Sequence, residues 1–135
     1  MLIDTHCHLD APEFDADRAA VLQAARAGGA GGFLVPAVGA SNFDAVAALS
    51  AAHPDVAHAF GIHPMYVGQA SESDLDVLRQ RLAGGGAVAV GEIGLDGFVQ
   101  DGSMPLQLRY FEAQLRLAKA FELPVVLHVR RAQDA

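Results

Sequence analysis

Short apolar runs alternate along the chain with longer segments whose apolar residues recur at helical spacing. Met1 to Asp4 reads as a short buried strand. Glu13 to Ala27 is alanine-rich with an amphipathic period and predicts a helix, ended by the run Gly28 to Gly32. Phe33 to Val35 is the next strand, stopped by Pro36. Ser41 or Asn42 caps a helix to about Ala52, closed by His53-Pro54. Val56 to Phe60 is a third strand, and the loop Gly61-Ile62-His63-Pro64 follows. Ser71 or Ser73 caps a helix over Asp74 to Leu82, and Gly84 to Gly86 end it. Ala87 to Val90 is a fourth strand that runs into Gly91 to Asp96. The longest helix starts at Met104-Pro105 and continues to Phe121, with Leu108, Phe111, Leu115 and Ala118 as its apolar stripe. Pro124 precedes a fifth strand, Val125 to Val129.

The succession is β-α four times and then β. Strands apolar throughout, rather than alternating, predict a parallel sheet covered by helices. The expected class is α/β, with about five parallel strands and covering helices, as in a β/α barrel or an open α/β sheet. No segment reads as a linker, so residues 1–135 are expected to form one domain. After the last strand only Arg130 to Ala135 remain, with no helix to cover it, and the chain is expected to be truncated.

Composition narrows the function. Hydrophobic residues make up 52% of the 135, which fits a globular chain. Nine Lys and Arg stand against sixteen Asp and Glu, a formal charge of -7. A generic polycationic nucleic-acid surface is excluded. The one cysteine, Cys7, rules out an intramolecular disulfide. There is no signal-peptide pattern and no apolar stretch near the roughly 20 residues that span a bilayer. The expected location is cytoplasmic, with no membrane partner.

The unusual polar residues then fall in one place. His6 and His8 follow the first strand, His63 the third and Glu92 the fourth, with Asp96 behind it. His128 ends the fifth. These are carboxyl ends of strands, where α/β folds place their chemistry. His6 and His8 at i and i+2 point the same way in an extended segment, and Cys7 points to the other side. Both imidazoles can reach one ion, with Glu92 and His128 as further donors. Nitrogen with carboxylate suits zinc, manganese or cobalt, and not calcium. Taken singly, His63, His53 and His58 read as structural hydrogen-bonding residues. Cys7 reads as a small buried residue rather than a nucleophile. Gly28 to Gly32 lies after a helix and before a strand, the wrong order for a phosphate loop, and reads as a flexible connector. For Arg130 and Arg131 the sequence leaves two readings open: one meets a substrate phosphate, or both are solvated.

Four pieces together resemble the TatD family of metal-dependent deoxyribonucleases: DTHCHLD at 4–10, GIHP at 61–64, GEIGLD at 91–96 and LPVVLHVRRA at 123–132. Gln107 and Gln114 in the preceding helix are also similar. The resemblance implies the N-terminal part of a TIM-barrel hydrolase, with one or two divalent ions (Mg, Mn or Zn) in its mouth. It implies that His6 and His8 bind one ion, that Glu92 is the catalytic carboxylate binding or bridging both, and that His128 binds the second. His63, Asp96 and Arg130 would stand behind the ligands or orient substrate. The implied substrate is DNA, as single-stranded ends cleaved 3′ to 5′. The family often has tyrosine right after GLD, where Gly97-Phe98 stands here. Family members are roughly twice as long, and their second half would add the last strands, a further histidine ligand and a late aspartate. Self-association or a separate second half would be the partner that completes this chain. Hydrolysis of small esters or amides, and an inactive metal-binding fragment, remain the alternative readings.

Overall fold

A computed structural model describes all 135 residues. In chain order the main elements are β1 (Leu2–Asp4), α1 (Arg18–Ala27), β2 (Ala30–Pro36), α2 (Phe43–Ala52), β3 (Val56–Phe60), α3 (Glu72–Ala83), β4 (Ala89–Asp96), α4 (Met104–Ala120) and β5 (Val125–Arg130). Short 3-10 turns at Pro12–Phe14, Ala40–Asn42 and Pro64–Gln69 join them. All strand pairs are parallel, in the order β1-β2-β3-β4-β5. The sheet is an open half-barrel, and every strand delivers its carboxyl end to the same rim.

The apolar strand residues find their partners on the helices. Fourteen buried residues form the main core, including Phe33 and Val35 of β2, Phe60 of β3 and Ile93 of β4, packed with Leu22, Phe43 and Leu78 of the helices. Burying such a side chain is worth about 1.5–3 kcal/mol over leaving it exposed. No helix is long and apolar enough to cross a membrane.

Several boundaries differ from the sequence pattern. α1 starts at Arg18, because Pro12–Phe14 forms a separate 3-10 turn and Arg18 spends its guanidinium on the Leu9 and Ala11 carbonyls. Ala30 to Gly32 are strand rather than connector, since Ala30 pairs with Leu2 and Gly32 with Ile3. Glycine carries no strand propensity, so only the pairing reveals it. Strand four is not Ala87 to Val90 but Ala89–Asp96, and all eight of its residues are buried.

α4 turns only part of its apolar stripe inward, Phe111 and Ala118 against the core. Leu108 and Leu115 are exposed, while Gln107, Tyr110, Gln114 and Ala118 are buried. The two glutamines serve the backbone at strand ends. Gln107 accepts from the Asp96 N–H and donates to its carbonyl. Gln114 does the same for Ile62. His58 is buried on β3 against Phe60, and burial, then Arg81, lowers its pKa. Cys7 packs against the core, and burial pushes its thiol up to about 11, the wrong direction for a nucleophile.

Candidate metal centre

Glu92 sits at the middle of the site, and a fault in the ladder puts it there. β4 pairs Gly91 with Val126 and Ile93 with Leu127, so Glu92 is the residue the β5 ladder skips. Its N–H bonds to the Ala37 carbonyl at 2.8 Å instead. A bulge of this kind re-aims a side chain. The backbones must also come close. A Cβ on Gly61 would stand 2.6 Å from the Gly91 carbonyl carbon, and one on Gly91 would stand 2.6 Å from the Val126 Cβ. Only glycine fits at either place.

Two groups of nitrogens converge on the Glu92 carboxylate. Oε1 lies 3.1 Å from His6 Nε2 and 3.2 Å from His8 Nε2, and the two nitrogens are 3.3 Å apart. Oε2 lies 3.2 Å from His128 Nδ1 and 3.5 Å from His63 Nε2, with 3.1 Å between these nitrogens. Each trio lies within ligand reach of a single ion. The dimensions fit: donors about 2.0 Å from a tetrahedral ion stand roughly 3.3 Å from one another. The chemistry of the first trio fits as well, since a carboxylate oxygen and two imidazole nitrogens this close require a cation between them, either proton or metal.

Charge bears this out. Burial alone would raise the Glu92 carboxyl, but hydrogen bonds from His63 and His8 outweigh it and hold the group far below its usual range. His8 is raised in return, first by its hydrogen bond to Glu92. Glu92 is therefore an anion at neutral pH despite being almost fully buried.

Hydrogen bonds set the tautomers. His63 Nδ1 accepts from the Met65 N–H at 3.1 Å, which leaves its proton on Nε2, facing Glu92 and His128. His128 Nε2 lies 2.8 Å from Asp96 Oδ2, which can only accept, so the lone pair on Nδ1 faces the cluster. His128 is thus ready to bind a cation, whereas His63 is set to donate.

Asp96 is fully buried, at the end of β4. Burial would raise its pKa, but His128, Arg130 and the Phe98 N–H together lower it. Arg130 Nε reaches both carboxylate oxygens, at 3.1 and 2.9 Å. A carboxylate behind a histidine is the usual way a ligand imidazole is held.

The structure brings His6, His8, His63, Glu92, Asp96, His128 and Arg130 into one connected network. Glu92 lies inside β4 rather than past it, because β4 runs on to Asp96, and His128 lies within β5 as the sequence places it. Asp10 and Asn42 were missed from the sequence. A cavity of about 520 Å³ opens beside the ligands, lined by these two with His8, His63, Met65 and Tyr66 among others. Asn42 Nδ2 donates to Asp10 Oδ2 at 2.6 Å. Asp10 closes DTHCHLD, so its place two residues after His8 was the available signal.

The geometry has counterparts in known proteins. The family described as "TatD related DNase" matches residues 3–135. The uncharacterized metal-dependent hydrolase YjjV of Escherichia coli (strain K12) is 45% identical over 134 residues, which are 98% of this chain and 52% of YjjV. Its crystal structure superposes with a TM-score of 0.94 at 44% identity, again over 98% of this chain and 52% of the other. A protein of Erwinia tasmaniensis named "3'-5' ssDNA/RNA exonuclease TatD" is 35% identical over 135 residues, 98% of this chain and 52% of its own. The chain spans about half the length of the curated relatives it matches.

Proposed function

The chain belongs to the family of TatD-related DNases, and from that premise we propose that it acts in the hydrolysis of DNA phosphodiester bonds, on single-stranded ends in the 3′-to-5′ direction. The observation that carries this reading is the division of Glu92, with one oxygen facing His6 and His8 and the other facing His128. The residues on its two sides would hold divalent ions, magnesium, manganese or zinc. The name of the Erwinia relative supports the substrate and direction.

When bound, such ions lower the pKa of coordinated water toward neutral and offset negative charge on a phosphodiester. The chain's own residues do the rest. His6, His8 and Glu92 Oε1 would hold one ion, and Glu92 Oε2 and His128 Nδ1 the other. Asp96 keeps the His128 proton on Nε2 and its lone pair on Nδ1. His63 presents an N–H at the same rim, where it would donate to a phosphoryl oxygen and orient it. Arg130 holds Asp96 ionised. The protein stays acidic as a whole, so attraction for the phosphate is confined to this rim.

The outer strands bear on partners. Leu2 and Ile3 on β1 and Leu127 and Val129 on β5 are exposed apolar residues on strands with one free edge. Such edges are prone to pairing with further strands, and we include self-association, or docking of a separately supplied second half, in the proposal.

The test is nucleotide release from single-stranded DNA by the 135-residue chain, with manganese or magnesium and then with chelator. Release should need metal and disappear in His6→Ala/His8→Ala. Bound metal without release would overturn the nuclease reading for this chain and leave the metal sites standing.

A further inference from the structure

We infer that Arg131, held by Phe98, forms a binding subsite for the phosphodiester that flanks the scissile one. The inference rests on the nucleic-acid reading above and names a contact beyond the metal cluster. Its first observation is an unmatched charge. Every other arginine lies within 3.9 Å of a carboxylate oxygen. The Arg131 guanidinium has neither an ion pair nor a hydrogen bond. The other unpaired cations, Lys119 in the last turn of α4 and the Met1 amino group at the start of β1, lie at the opposite end of the sheet from the ligand rim. Arg131 is therefore the one free cation at the site's end of an acidic protein.

The second observation is how that cation is held. Phe98 follows β4, and its ring is half exposed. The guanidinium carbon of Arg131 stands 4.8 Å from the ring centroid, and that of Arg130 stands 4.4 Å from it. A guanidinium stacked on an aromatic face keeps its N–H donors around its edge. It can take a phosphate side-on without leaving the ring. The backbone is bent to allow this. Arg131 has φ of +52°, an unfavourable region for a residue with a Cβ. A Cβ at Gly97 would overlap the Arg131 carbonyl oxygen, so glycine there admits the turn.

The third observation is continuity with the cluster. Phe98 N–H donates to Asp96 Oδ1 at 3.0 Å, and Asp96 Oδ2 lies 2.8 Å from His128 Nε2. One carboxylate thus separates the platform from the residue proposed to hold the second ion. Arg130 does not compete for the phosphate in the same way, because its Nε is committed to Asp96. A strand with its scissile phosphate at the cluster would lay its neighbouring phosphate toward Arg131.

The experiment compares two labelled thymidine tetranucleotides, one all-phosphodiester and one with an uncharged methylphosphonate at the flanking linkage. Binding to the full chain is read by anisotropy within seconds of mixing, with manganese present. Arg131→Ala should weaken the charged probe about tenfold and lower the salt slope by about 0.7. The uncharged probe should bind wild type about tenfold more weakly, and Arg131→Ala should cost it nothing further. Phe98→Ala should lose several-fold on the charged probe only, and Phe98→Tyr should restore it. Equal binding of the charged probe by wild type and Arg131→Ala overturns the inference and leaves the proposed function standing. Equal losses on both probes overturn it too, since that marks a structural role. No binding of either probe by wild type overturns the nucleic-acid reading and the inference together.

Discussion

β4 and β1 belong to one sheet and serve one cluster, yet they are opposites in packing. All eight residues of β4 are buried, and all three of β1 are exposed. Ile93 is 0% exposed and Ile3 is 62% exposed, although both are isoleucines on parallel strands. The site draws on both. Its anion, Glu92, is fixed by the best-packed strand, between a glycine and a core isoleucine. His6 and His8 hang from the least covered strand, and His128 comes from the other outer strand. Packing therefore fixes the charge, while the nitrogens around it are held by hydrogen bonds, His6 and His8 to Glu92 and His128 to Asp96. A metal in this position would be a staple from the edges of the sheet to its centre.

The largest effect expected of this difference is on stability. Ile93→Ala leaves a cavity in the core and should cost about 2–5 kcal/mol, whereas Ile3→Ala at the exposed edge should stay within about 0.5 kcal/mol. Urea denaturation of the two variants, side by side, measures it. Equal costs would mean that β1 is buried in solution by something that covers it, and the contrast would vanish.

The next effect is the staple itself. A divalent ion at one hundred times its dissociation constant should stabilise the chain by about 2.7 kcal/mol. The gain should be uneven. Amide exchange should slow most in residues 2–8 and 125–130, and least in β4, whose packing already holds it. His6→Ala/His8→Ala should remove the protection from residues 2–8 and leave that of 125–130. Uniform protection across the sheet would show that ions bind to the whole fold rather than tie its edges to its middle.

The same contrast explains what the sequence made legible. The succession of elements, the parallel sheet and the rim that gathers His6, His8, Glu92 and His128 were readable, because apolar runs and turn residues are local signals. The bulge was not. Nothing in GEIGLD says that Glu92 is skipped by its neighbour, since that depends on the register of β5. Gln107 and Gln114 lie beside the apolar stripe of the helix, and nothing in their polar side chains predicts burial. They are buried because the Asp96 and Ile62 backbones need partners there, a demand set by tertiary structure. The donor role of His63 depends on the Met65 amide, and the free cation on the pairing of every other arginine. Residue types were legible from spacing, but their proton positions and partners required the fold.

The smallest expected effect lies at the other end of the sheet, where an ion pair ties an edge to the centre without any metal. Arg26 in the last turn of α1 meets Asp55, which leads into β3, through two hydrogen bonds of 2.7 Å. The Asp55 carbonyl also accepts from Phe33 at 2.9 Å, so the pair braces β2 against β3. The guanidinium beside Asp55 holds its carboxyl below the usual range. The sign follows from linkage. A lowered carboxyl contributes stability at pH values above its unfolded pKa of about 3.9, and the contribution disappears as pH falls through the lower folded value. The pair is open to solvent, so the effect is modest and weakens with salt. Arg26→Gln should therefore lie slightly below wild type in urea midpoint at pH 7, with the gap closing toward pH 3. A gap of the same size at both pH values would assign the bracing to the packing of the Arg26 stem against its neighbours rather than to charge.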